Sequence, residues 1–243
     1  MKIVKLNAIN STNTYLKQLA KDVEIGNWTI VTAESQTQGR GQVDTKWESE
    51  HSKNLLCSLL IKFERLEVKE QFYLNCAISL GIYNTLKRYE LPELKIKWPN
   101  DIMSDNKKLG GILIENSLKN KKIYRSIVGI GLNINQEIFP EYLPNATSLK
   151  KIFKSNFDRN TILDELIVSI KKQIELLNQN KFELLHKNYD EALYKIHVSH
   201  IFESKNQKFL GEIIGVNKKG ELKVLIDNIS LRTFAFKEIK FIN

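Results

Sequence analysis

The sequence predicts an α+β fold, with a mixed α/β domain over residues 1–192 and a small all-β unit over 193–243. Helical and strand-like apolar rhythms alternate up to about residue 192. Beyond it only short alternating strands remain, broken by "NKKG" and "DN". A hydrophobic fraction of 42%, with four prolines and 11 glycines in 243 residues, marks a folded chain rather than a disordered one.

In chain order, residues 2–8 alternate as a short strand, and "NSTNTYLKQLAKD" reads as a capped helix with Tyr15, Leu16, Leu19 and Ala20 on one face. "NWTIVTAE" is a strand, followed by "AESQTQGRGQVDTKW" (33–47), a mobile loop with Val43 as its one apolar residue between Ala33 and Trp47. "NLLCSLLIKF" is a buried strand. Residues 68–89 form a long helix buried on more than one side. "ELKIKWP" is a strand stopped by Pro99, "NDIMSDNKK" a turn too polar for the core, and "LGGILIEN" and "KIYRSIVGIGLNIN" a neighbouring strand pair. Ile162, Leu163, Leu166, Ile167, Ile170 and Ile174 place an amphipathic helix at 160–178.

The net charge of +9 is not concentrated. Residues 193–243 hold nine Lys/Arg against five Asp/Glu, and the rest of the chain holds 28 against 23. Spread charge of this kind favours solubility and attraction of anionic ligands over a dedicated nucleic-acid surface. Cys57 and Cys76 lie inside apolar patterns and read as buried free thiols, so a cytoplasmic, reducing setting is expected. No apolar run is long enough to span a bilayer, and the N-terminus does not read as a signal peptide.

Several chemistries are excluded by pattern. The chain contains no G-x-x-x-x-G-K-[ST], no complete G-x-G-x-x-G, no H-E-x-x-H and no G-x-S-x-G. His197 and His200 read as plain strand residues. Three features remain. "STN" (Ser11, Thr12, Asn13) sits at a strand-to-helix junction, where it either caps the helix or grips a polar ligand. The 33–47 loop puts the Arg40 fork between Gly39 and Gly41 and ends at Trp47, which suits a phosphate or carboxylate. "KWPNDIMSDNKKLGGILIE" (97–115) gathers Lys97, Asn100, Asp101, Lys107 and Lys108 at a turn, ahead of Gly110 and Gly111 in a strand where something must pack close.

The ordered set "STN", "GRG" to Trp47, "KWPND…KKLGGILIE", "GIGLNIN", "NATSL" and the β unit closely resembles the biotin–protein ligases. The resemblance implies a mixed-sheet, class II synthetase-like catalytic domain followed by an SH3-like β-barrel, in the form without a DNA-binding domain. It also implies the reaction: biotin and ATP, with Mg²⁺, give biotinyl-5′-AMP, and biotin passes to a lysine of the biotin carboxyl carrier of acetyl-CoA or pyruvate carboxylase. By resemblance the catalytic residues are Lys108, Arg40 and Asp101. Biotin would meet Ser11, Thr12, Asn13, Gln36, Gly39, Arg40, Gly41, Lys108, Gly110, Gly111, Ile112, Leu113 and Gly131. The adenylate would meet Arg40, Gln42, Trp47, Asn100, Asp101, Lys108 and Asn133. Mg²⁺ would ride mainly on the ATP phosphates, with Asp101 as a candidate ligand. Neither DNA nor membrane binding is expected, and a monomer or a homodimer fits the family. Where many relatives carry two further arginines, this chain has Gln42 and Thr45, which implies a weaker hold on the adenylate. The alternatives are a lipoate–protein ligase, a nucleic-acid-binding module suggested by the pI of 9.3, and a sensor that keeps the adenylate without transferring it.

Overall fold

The computed structural model describes residues 1–42, 45–227 and 229–242, so Val43 and Asp44 of the loop lie outside the described residues. The first strand, β1 (Lys2–Ile9), leads into α1 (Thr12–Asp22) and returns through β2 (Thr29–Gln36), parallel to β1. β3 (Leu55–Lys62) then precedes a 3-10 turn (Val68–Glu70) and α2 (Gln71–Lys87). β4 (Lys95–Lys97), β5 (Asp101–Ser104), β6 (Lys107–Lys119) and β7 (Lys122–Leu132) complete a seven-stranded mixed sheet of order β1-β2-β3-β7-β6-β5-β4.

Three helices follow, α3 (Leu149–Phe153), α4 (Arg159–Asn178) and α5 (Phe182–Glu191). Of these the sequence analysis names only α4; α3 is a single turn, and α5 is short although Phe182, Leu185 and Tyr189 repeat on its buried face. β8 (Ser199–Ser204), β9 (Gln207–Val216), β10 (Leu222–Ile226), β11 (Ser230–Phe234) and β12 (Lys240–Phe241) form an antiparallel sheet of order β11-β10-β9-β8-β12. The fold is thus the expected α+β arrangement with an SH3-like terminal sheet. Among the described residues, no ladder joins β11 to β12 to close it.

β3 is buried along nearly its whole length because α2 and α4 cover one face of the sheet while α1 covers the other. Each such Leu or Ile contributes about 1.5–3 kcal/mol when withdrawn from water. The terminal sheet shares this core: Phe202, Ile213, Val216, Leu222, Val224 and Phe234 are continuous with the α2–α4 cluster. Trp98 Nε1 also donates to Gly220 O across the junction.

Two readings need correction. Residues 101–104 are not part of a polar turn: they are β5, with Ile102 and Met103 buried between β4 and β6, and the turn is only Asp105–Asn106. Tertiary pairing on both edges overrides the low apolar content. His197 lies ahead of β8 with φ 56° and pairs with Glu212, so it is not a strand residue.

One register row brings the site glycines side by side. Leu56 of β3 faces Gly131 of β7, Gly131 faces Gly111 of β6, and Gly111 faces Asp101 of β5. In the next row, Ser58 faces Gly129, which faces Leu113.

Candidate functional site

These rows floor a cavity of ≈ 390 Å³ on the α1 side of the sheet. Its glycines matter because other side chains occupy the space above them. A β-carbon on Gly131 would fall 2.6 Å from Trp47 Cζ2, and one on Gly129 would fall 2.9 Å from Asn13 Cγ. Small residues in the strand interior therefore trade local strand stability for close approach.

One end of the cavity is a polar cluster at the start of α1. Ser11 has N-cap backbone geometry, yet its side chain makes no capping hydrogen bond, so capping does not explain it. Gln36 Oε1 accepts from Thr12 N at 2.7 Å and from Thr12 Oγ1 at 3.0 Å. Ser58 Oγ, fully buried, donates to Asn13 Oδ1 at 2.5 Å and lies 2.8 Å from Thr12 Oγ1. That bond fixes the Asn13 amide, whose Nδ2 donates to Glu115 Oε2 at 3.0 Å. A buried, mutually oriented set of this kind presents fixed donors and acceptors to a polar ring.

The other end is cationic. Lys108 Nζ lies 2.7 Å from Asp101 Oδ1 and 5.8 Å from the centroid of the Trp47 ring. A bulge aims it there: β5 residues 102 and 103 pair with Gly110 and Lys108, which leaves Leu109 as the extra residue. The bulge moves Lys108 onto the face of Gly111 and Leu113, which strict alternation would have given to Leu109. Backbone bonds on its far side hold it in place, Lys108 N to Asn145 O at 2.6 Å and Thr147 N to Lys108 O at 2.9 Å. Lys97 stands beside the pair. Burial lowers its pKa, against the opposing pull of Asp101.

The loop begins later than the sequence suggests, since Ala33–Gln36 still belong to β2. It folds on itself: Gly41 N donates to Thr45 O, Trp47 N donates to Gly39 O, and Arg40 bridges Lys46. Gly39 and Gly41 thus admit the loop's own Trp47 backbone and Thr45 side chain. Arg40 Nη2 contacts Glu115 Oε2 at 2.6 Å, and Lys17 Nζ takes the other oxygen at 3.1 Å. Burial alone would raise the Glu115 pKa. The Asn13 and Lys17 hydrogen bonds and the Arg40 charge outweigh it and hold the carboxyl below its ordinary value.

Of the sequence-predicted residues, Ser11, Thr12, Asn13, Gln36, Arg40, Gly41, Gln42, Trp47, Asn100, Asp101, Lys108, Gly111, Ile112, Leu113 and Gly131 all line this cavity. Three do not. Gly39 lines a neighbouring cleft, Gly110 faces Leu132 on the opposite side of the sheet, and Asn133 is buried below, its N–H donating to Leu109 O. The sequence reading missed Ser58, Glu115, Cys57, Leu143 and Phe236. Glu115 closes a motif that had been singled out, whereas Leu143 and Phe236 are brought in from distant loops with no local signal. Cys57 is no nucleophile, because burial pushes its thiol pKa up to about 12. Among the described residues, no group of three His, Cys, Asp or Glu could ligate a metal on its own, and no helix is long and apolar enough to cross a membrane.

The model of the biotin/lipoate A/B protein ligase family matches residues 6–133. The structure of the biotin protein ligase from Aquifex aeolicus in complex with biotin and ATP aligns with a TM-score of 0.80 at 26% identity, covering 100% of this chain and 99% of that one. The bifunctional ligase/repressor BirA of Bacillus spizizenii is 25% identical over 223 residues, 90% of this chain and 68% of its own length. The biotin–[acetyl-CoA-carboxylase] ligase of Mycobacterium tuberculosis is 29% identical over 168 residues, 68% of this chain and 60% of its own length.

Proposed function

The chain belongs to the biotin/lipoate A/B protein ligase family, and on that premise we propose that it joins biotin to an acceptor protein at the expense of ATP. The observation that carries this reading is the pairing, across one glycine-floored slot, of the fixed polar cluster at Thr12, Asn13, Gln36 and Ser58 with the Lys108–Asp101 pair. A compact ring with hydrogen-bonding groups on both sides, such as a ureido ring, matches the first end. A carboxylate meeting a phosphate needs the second.

In the first step a biotin carboxylate oxygen attacks the α-phosphorus of ATP and pyrophosphate leaves, giving biotinyl-5′-AMP. Both reactants are anionic, so the site must supply positive charge where they meet. Lys108 does so, and the bulge and the Asn145–Thr147 bonds keep it aimed. Trp47, Asn100 and Gln42 would meet the nucleotide, and Leu113, beside the glycines under the Trp47 ring, would meet the valeryl chain; all of them line the same cavity.

Mg²⁺ is usually held by one or two carboxylates together with the substrate's phosphates. Asp101 is a carboxylate of that kind, and it would hold the ion together with ATP; when bound, the ion would neutralise phosphate charge. In the second step the acceptor lysine attacks the acyl carbon and AMP leaves. Asp101 is placed to take the proton that the amine sheds.

The acceptor is the biotin carrier of a carboxylase, an assignment supported by the name of the mycobacterial relative. Residues 1–192 form the catalytic unit and 193–243 the appended sheet, which lends Phe236 to the cavity. Incubation with ATP, labelled biotin and a carboxylase carrier domain should label one carrier lysine. Calorimetric binding of lipoate with none of biotin would overturn the reading.

A further inference from the structure

Glu115 sits at the hub of three side chains, and the chemistry above assigns it no part. Arg40 and Asn13 share its Oε2, and Lys17 holds its Oε1. Its place along β6 is the informative point. Lys108 and Glu115 lie on the same face of that strand, separated by roughly 20 Å of extended chain. The Arg40 guanidinium is therefore moored at the Asn13 end of the slot, far from the Lys108 end where phosphate would lie.

We infer that Glu115 is a latch: it parks Arg40, and Arg40 clamps an anionic adenylate only after it exchanges Glu115 for that anion. This inference rests on the function proposed above. The exchange leaves no stranded charge, because Lys17 and Asn13 remain on the carboxylate when Arg40 departs. It is also cheap enough to be reversible. The Arg40 side chain is 43% exposed and that of Glu115 20%, and water-accessible ion pairs are weak. The depressed pKa of Glu115 keeps the latch charged through the neutral range.

Two measurements on the full chain test the latch separately from the function. The first is tryptic cleavage after Arg40 in the free protein. Glu115→Gln should speed it about three- to fivefold, the range an ion pair of this exposure supports, whereas Lys17→Met, which keeps the latch, should not. An unchanged rate in Glu115→Gln, or equal acceleration in Lys17→Met, overturns the latch. The second is titration with a biotinyl-adenylate analogue carrying a sulfamoyl linker in place of the phosphate. Glu115→Gln should bind it about three- to fivefold more tightly, and should have no effect in an Arg40→Ala background. Weaker binding by Glu115→Gln would show a merely structural carboxylate and also overturn the latch. If the wild type fails to bind the analogue while the cleavage result holds, the parking of Arg40 by Glu115 stands, and the biotin reading falls together with the exchange for an adenylate.

Discussion

The indole of Trp47 lies directly on Gly131, so close that a β-carbon there would fall 2.6 Å from Cζ2. Gly131 in turn faces Gly111 across the β6–β7 ladder, so two residues without side chains carry one aromatic ring. Gly131→Ala should push the ring off its seat while leaving the strand intact. We expect biotin affinity to fall about tenfold or more, equivalent to ~1.4 kcal/mol, with little change in melting temperature. Calorimetry beside a thermal melt checks both, and undiminished affinity would show that the ring does not shape the site.

Lys108 is the cation that the bulge at Leu109 exists to aim. Lys108→Ala should cut biotinyl-adenylate formation by roughly 10²–10³, the usual cost of deleting a group that stabilises transition-state charge. Pyrophosphate release in a single turnover measures this. Near-normal formation would mean that the central cation lies elsewhere.

Arg40 is expected to act later, in retention. Arg40→Ala should still form the adenylate but release it about tenfold faster or more, since a charged hydrogen bond is worth ~1.5–3 kcal/mol. Gln42 and Thr45, where the family resemblance implies arginines, give the converse test. Thr45 is occupied in closing the turn, through Oγ1 to Gln42 O at 2.8 Å, whereas only the backbone of Gln42 takes part. Gln42→Arg should therefore add a cation without opening the turn and slow release several-fold, as read from the decay of isolated complex. Release unaltered in both variants would remove the loop from intermediate retention.

Glu115 also sets an acid-side dependence. Its folded pKa lies below the ordinary value of 4.5, so its contribution to stability is present above that value and is lost as pH falls through the lower folded pKa. The stability gap between wild type and Glu115→Gln should stay flat from neutral pH to about 5 and narrow below 4.5. Urea unfolding at a series of pH values measures it, and a gap that closes between pH 7 and 6 would contradict the assignment.

Much of the molecule could be read in one dimension because its signals are local. The apolar rhythm marked β3, α2 and α4, and the ordered motifs marked Ser11–Asn13, Arg40, Asp101 and Lys108 together with the glycine pair. Periodicity tells which face of an element is buried. It does not tell which element lies opposite. That is why residues 101–104 read as a turn although they pair on both edges as β5, and why only register shows Gly110 packed against Leu132 and Asn133 bonded to Leu109 O.

The sequence by itself carried the fold class, through its apolar periodicities, while the family and the candidate side chains came from the resemblance of its ordered motifs to the biotin–protein ligases. Only the tertiary structure decided how they work together. Ser58 reaches Asn13 across 45 residues of chain, Glu115 reaches Arg40 across 75, and a one-residue bulge chooses Lys108 over Leu109 for the cavity. Such contacts arise from strand register and packing, which depend on the whole sheet at once and leave no mark on neighbouring residues.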